Sequence, residues 1–161
     1  MLPIAEEMMT PNGAGTHLWH EQEDLGTAAS HRVWTIAGGP ILILALWGIV
    51  RVNCNAPGGT TLRLAHNVGP ANLCGDVADV DSDPLGTVYY ITGVQASLLL
   101  KAELGTTGIP NIAVANLTPI PAYAGDIDAV VGTNTNTGEV EWHLVYRALS
   151  AVSTVVNAVY D

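Results

Sequence analysis

Thr137-Gly138-Glu139-Val140-Glu141-Trp142-His143-Leu144-Val145-Tyr146-Arg147-Ala148 alternates along most of its length. Val140, Trp142, Leu144, Tyr146 and Ala148 fall on one face, and Glu139, Glu141, His143, Val145 and Arg147 on the other. A period of two with one apolar face belongs to a strand that packs on a core on one side and meets water on the other, the habit of antiparallel sheets. Outward from this strand the pattern persists from His31 onward, with strands expected at 31–37, 41–53, 60–66, 87–94, 97–102, 111–117, 126–131, 138–148 and 151–159. The dividers are turn-forming clusters such as Gly38-Gly39-Pro40, Asn55-Ala56-Pro57-Gly58-Gly59 and Asp83-Pro84-Leu85-Gly86. Many short strands at such spacing predict an all-β sandwich or barrel, with the strands antiparallel.

Two strands depart from one-sided alternation. Residues 41–50 are apolar on both faces, and in Thr87 to Val94 the set Val88, Tyr90, Thr92, Val94 opposes Tyr89, Ile91 and Gly93. A sandwich whose outer face is partly apolar needs a cover, and a second subunit is the simplest one, so a homo-oligomer is expected. Pro110, Pro119 and Pro121 confine 111–128 to edge strand and loop, because proline has no N–H for a central ladder. Trp34, Trp47 and Trp142 read as core.

Residues 1–30 differ from the rest. They carry Glu6, Glu7, Glu21, Glu23 and Asp24 with breakers at Pro3, Pro11, Gly13, Gly15 and Gly26, and read as an extended acidic N-terminal arm with a short helical turn near His17 to Leu25. The domain is then 31–161. Met8, Met9, Leu18 and Trp19 are apolar residues in a polar stretch, and are the candidates for contact with a partner.

Composition excludes several classes. The chain has 161 residues, 48% of them hydrophobic, with 15 acids against 5 bases and a net charge of −10, enough for one core without metal or disulfide staples. Its four arginines, Arg32, Arg51, Arg63 and Arg147, are scattered, and nucleic-acid binding needs a clustered basic footprint. The apolar run 40–50 is too short for a spanning helix, which takes about twenty residues, so no membrane association is expected. The first residues have neither the basic nor the apolar region of a signal peptide, which leaves synthesis in a cytoplasm as the expectation. Cys54 and Cys74 are too few for a disulfide framework and read as buried thiols, with a bridge between them left open.

Chemistry-bearing patterns are sparse. His17-Leu18-Trp19-His20-Glu21 is an H-x-x-H-E sequence, not the H-E-x-x-H of zinc proteases. Asp76, Asp79, Asp81 and Asp83 crowd one loop without the order of a calcium loop, and are weak cation candidates beside the simpler reading of a solvated acidic turn. His143 shares a face with Glu141 and Arg147, which a surface charge pair explains. No nucleophile elbow, phosphate loop or dinucleotide fingerprint is present. The expectation is no enzyme, no cofactor and no metal centre, with a cupin-like metalloenzyme using His17, His20, His66 or His143 as a distant rival.

The segments Gly38-Gly39-Pro40-Ile41-Leu42-Ile43-Leu44-Ala45-Leu46-Trp47-Gly48 and Thr137 to Ser150 resemble small β-rich structural proteins of tailed bacteriophage particles. The resemblance spans most of 31–161 in layout and rests on strand-turn segments, not on a catalytic signature. It implies an antiparallel β-sandwich of jelly-roll-like form in a virion protein on the head surface, a decoration or cement protein bound to the major capsid protein, often as a trimer. A tail-associated β protein is the near variant. A lectin-like or receptor-binding sandwich, with Tyr123 as an aromatic platform, is the alternative.

Overall fold

The computed structural model describes residues 15–22, 25, 28–55, 60–68, 72–77, 79–102, 118–132 and 137–158. Met8 and Met9, and the strand expected at 111–117, lie outside them. The described residues form ten strands and no helix: β1 (Thr16–Gln22), β2 (Ser30–Ala37), β3 (Ile41–Asn55), β4 (Leu62–His66), β5 (Val88–Tyr90), β6 (Leu100–Ala102), β7 (Ile120–Ala122), β8 (Gly125–Val131), β9 (Thr137–Ala148) and β10 (Thr154–Asn157). They pair antiparallel in two sheets that pack as a sandwich. One runs β1-β9-β3-β5-β6 with β7 also on β3; the other runs β10-β2-β8-β4.

The alternating strand β9 lies inside the larger sheet, between β1 and β3. Val140, Trp142, Leu144 and Tyr146 point into the core, together with Tyr89 of the same sheet and Trp34, Ile36, Leu62, Leu64 and Ile127 of the facing one. Beside Trp142 the chain places Gly48, where a Cβ would meet the indole ring at 2.6 Å, so a close ring-on-backbone contact excludes any larger residue there without displacement.

The two-sided apolar run is explained by bulges. β3 pairs Ile43 with Tyr146 and then Ala45 with Val145, so Leu44 is an extra residue and the inward parity changes. Ile41 and Ile43 face the core before the bulge; Leu46, Gly48 and Val50 face it afterwards. Leu42, Ala45, Trp47 and Ile49 are left half-buried outside. Trp47, expected in the core, therefore stands on the outer face. Val88 is buried without belonging to the core cluster, so both faces of β5 are covered, as its alternation suggested.

The N-terminal region also departs from expectation. Thr16–Gln22 is not a helical turn on an arm but a strand, in register with β9 from Thr16 opposite Tyr146 to Gln22 opposite Val140. Leu18 and His20 face inward, and tertiary pairing supplies the order that the polar composition did not predict. The other missed strand, β7, contains Pro121 and lies at the sheet margin beside Leu42, where a missing N–H is tolerated.

Candidate functional site

Three groupings of side chains follow from this topology. The first is on the outer face of the larger sheet, where β1, β9 and β3 lie side by side. Register puts Trp19 and Trp47 on either side of His143, with His17 one diagonal step away. His17 Nε2 is 3.1 Å from His143 Nδ1, and His143 Nε2 is 2.9 Å from Glu141 Oε1. Arg51, brought to this face beside a second bulge in β3, donates to the same Glu141 oxygen. The Trp47 ring lies nearly parallel to both imidazoles, 4.9 Å from His143 and 5.7 Å from His17 between centroids. The carboxylate partner thus fixes His143 with a proton on Nε2, leaving its Nδ1 lone pair to face His17.

The charge pair expected of His143 and Glu141 is present, but its basic member is Arg51 and not Arg147, which is exposed. Alternation along β9 could not reveal a partner from another strand. The Arg51 hydrogen bond is the main cause that holds the Glu141 carboxyl below its ordinary range. Burial is the main cause that lowers His143, with the His17 and Arg51 charges adding to it against Glu141, and burial likewise lowers His20.

All three groups have folded pKa values below their unfolded ones, so the unfolded chain binds more protons and stability is lost on acidification. The loss is expected to begin as pH falls below the ordinary imidazole value of 6.5 and to continue through the carboxylate range below 4.5. Urea unfolding in chelator-treated buffer between pH 7.5 and 4 should show this decline, and His143→Gln should reduce its upper part. A flat profile above pH 5 would contradict the assignment.

The second grouping occupies the acidic loop. Its four aspartates do not converge on a cation. Asp76 pairs with Arg63 at 3.2 Å, Asp79 Oδ1 accepts the Asp81 N–H at 2.9 Å, and Asp83 is buried. Asp83 accepts hydrogen bonds from the Tyr89 hydroxyl at 2.6 Å and from Nζ of Lys101, the only lysine, at 2.7 Å. The same Nζ donates to the Asp79 carbonyl, so Lys101 fastens the loop to β6. Cys54 lies 4.0 Å from the Tyr89 hydroxyl; it and Cys74 are free, buried thiols, each pushed up to about 11 mainly by burial.

Of the four candidate histidines, His17 and His143 meet on the outer face, whereas His20 is buried on the inner one. His17 and His20 are three apart on a strand and so face opposite sides, which removes the H-x-x-H motif as a chelate. Both ring nitrogens of His66 face backbone carbonyls, those of Val68 and Tyr123. Among the described residues no three or more His, Cys, Asp or Glu side chains are grouped to hold a metal, and no helix is long and apolar enough to cross a membrane.

The third grouping is one end of the sandwich. Register brings together the turns 38–40, 67–68, 123–124 and 149–153, since Ile36 pairs with Gly125, Ala37 with Thr154, and Ile41 with both Ala122 and Ala148. None of these turn residues is charged. Val68, Tyr123, Leu149 and Val152 stand out from them at 48–64% exposure. Asp126, just inside the rim, is tied to Asn67, Thr35 and Arg32. The opposite end carries Asp79, Asp81 and Asp83. Of the residues expected to meet a partner, Trp19 is 55% exposed on the edge strand β1, whereas Leu18 packs against the core.

No protein-family model matches the chain, and no curated protein or solved structure matches it.

Proposed function

We propose that this chain is a non-enzymatic structural protein of a virion, a decoration or cement protein that binds the major capsid protein on the head surface and oligomerises, with a trimer favoured. The observation that carries the reading is the end of the sandwich at which four described turns carry no charge. A protein of net charge −10 approaches a large assembled surface at least electrostatic cost through a part whose described turns hold no charge, and Val68, Tyr123, Leu149 and Val152 supply apolar anchors there. Repetition over a symmetric lattice would multiply a modest contact.

The wrapping order supports the same reading. Strands β1 to β4 alternate between sheets, as do β7 to β10, giving β1-β9-β3-β5 in one sheet. In the other, β2-β8-β4 is extended by residues 72–77, bridged to β4 at Ala65–Asn72 and Leu62–Val77. We read this as jelly-roll wrapping, an architecture that recurs in viral capsid and lectin domains. The polar clusters favour a structural role too, because Asp83, Lys101, Glu141 and Arg51 are engaged in ties between elements.

The test is quantitative mass spectrometry of density-purified particles. Copy numbers approaching that of the capsid protein are expected, and Val152→Asp should lower occupancy at least tenfold with an unchanged melting temperature. Numbers tens of times lower would move the protein to the tail or a vertex, and absence from particles would overturn the virion reading. Tyr123, exposed at the same end, sustains the lectin-like alternative, which a glycan array without hits would dismiss.

A further inference from the structure

We propose that His17 and His143 form a cross-strand two-histidine clip for a divalent transition-metal ion of the zinc or copper type. The reading is independent of the virion assignment. Its basis is the seam between β1 and β9, where two imidazole nitrogens from residues 126 positions apart meet at 3.1 Å.

That separation suits a shared metal. With metal–nitrogen bonds of about 2.0–2.1 Å, nitrogens 3.1 Å apart subtend an angle of about 100° at the ion, between the square-planar and tetrahedral values. The ion enters by a tilt of each ring that turns the two lone pairs toward a common point, with no change of backbone register.

The surroundings are those of a metal ligand. A ligating histidine characteristically donates its other ring N–H to a carboxylate, which fixes the tautomer and raises the basicity of the ligating nitrogen. Glu141 holds His143 Nε2 in this way, and Arg51 holds Glu141. His143 Nδ1 is therefore already the unprotonated nitrogen. Neutral His17 needs only to carry its proton on Nδ1 instead of Nε2, so no proton is lost from the pair. Trp47, nearly parallel to both rings, shields one side. The remaining coordination positions face outward and would be taken by water or by a group from a second molecule.

Two imidazoles select metals that favour nitrogen, and the order of affinity for such a set places Cu²⁺ above Zn²⁺. Binding would bridge the edge strand β1 to the interior strand β9 and stabilise the folded chain in proportion to occupancy.

The experiment uses the full chain, stripped with chelator and titrated with Cu²⁺ and separately with Zn²⁺, read by calorimetry and by tryptophan fluorescence. One equivalent is expected, with Cu²⁺ tighter and quenching Trp47. His17→Gln and His143→Gln should each weaken uptake at least tenfold. Glu141→Gln should weaken it about tenfold or more, within the range known for carboxylates behind a ligand, and His31→Gln on the other sheet should leave it unchanged. The copper-loaded wild-type chain should show two imidazole nitrogens by electron paramagnetic resonance, a readout that does not depend on any variant folding. No uptake at 100 µM metal, fewer than two imidazole nitrogens, or uptake that survives His17→Gln would overturn the proposal.

Discussion

Lys101→Met is expected to lower the unfolding free energy by about 3 kcal/mol, measured by urea denaturation at pH 7. Asp83 is 1% exposed, and its carboxylate is held by two donors, the Tyr89 hydroxyl and Lys101 Nζ. Removing the lysine leaves a buried charge with one of these two partners and also releases the Asp79 carbonyl. Breaking a buried pair costs about 3–5 kcal/mol because the abandoned charge keeps its desolvation penalty. The lower figure applies since the Lys101 side chain is 31% exposed and water screens that end of the pair. Asp83→Asn in the Lys101→Met background removes the abandoned charge, so the double variant should be more stable than Lys101→Met alone. A loss under about 0.5 kcal/mol for Lys101→Met, or no recovery in the double variant, would show that the pair is not a structural tie.

Trp142→Ala is expected to cost about 3–5 kcal/mol, a large part of the 5–15 kcal/mol typical of a whole domain. Trp142 is fully buried, packs against Gly48, and meets the Tyr89 ring at 6.4 Å with a 32° tilt. The facing glycine has no side chain that could swing into the space, so the cavity collapses poorly. Gly48→Ala, which clashes with the indole in the native chain, should cost less in the Trp142→Ala background than alone, because its methyl then enters the void. Both are read from urea midpoints with the denaturant slope unchanged. Strict additivity of the two substitutions would mean that ring and glycine do not share one packing site.

His17 and Trp19 illustrate what lay beyond reach of local pattern. Their segment has acids on both sides and glycines nearby, and by composition it reads as an arm with a helical turn. It is a strand because β9 offers an open edge along seven residues and an inward face for Leu18 and His20. The partnership of His17 with His143, and of Arg51 with Glu141, was invisible for the same reason: each joins residues on different strands. A ladder of alternating His, Trp and Glu at positions 17, 19 and 21 echoes Glu and His at 141 and 143, but that correspondence has meaning only once pairing and register are known.

The sequence by itself determined the all-β class, the antiparallel sandwich, the inward face of β9 and most strand positions, because a two-residue period with turn residues between is a local property of the backbone. It also placed a largely two-sided apolar strand at 41–50. Tertiary structure alone decided which way that strand faced, since an extra residue at Leu44 reverses inward and outward without altering the count of apolar positions. It alone dispersed the acidic loop into separate ties, turned Trp47 outward onto two histidines, and gathered four uncharged turns at one end. Register and bulges set these outcomes, and they are fixed by long-range pairing across chain separations that no local pattern encodes.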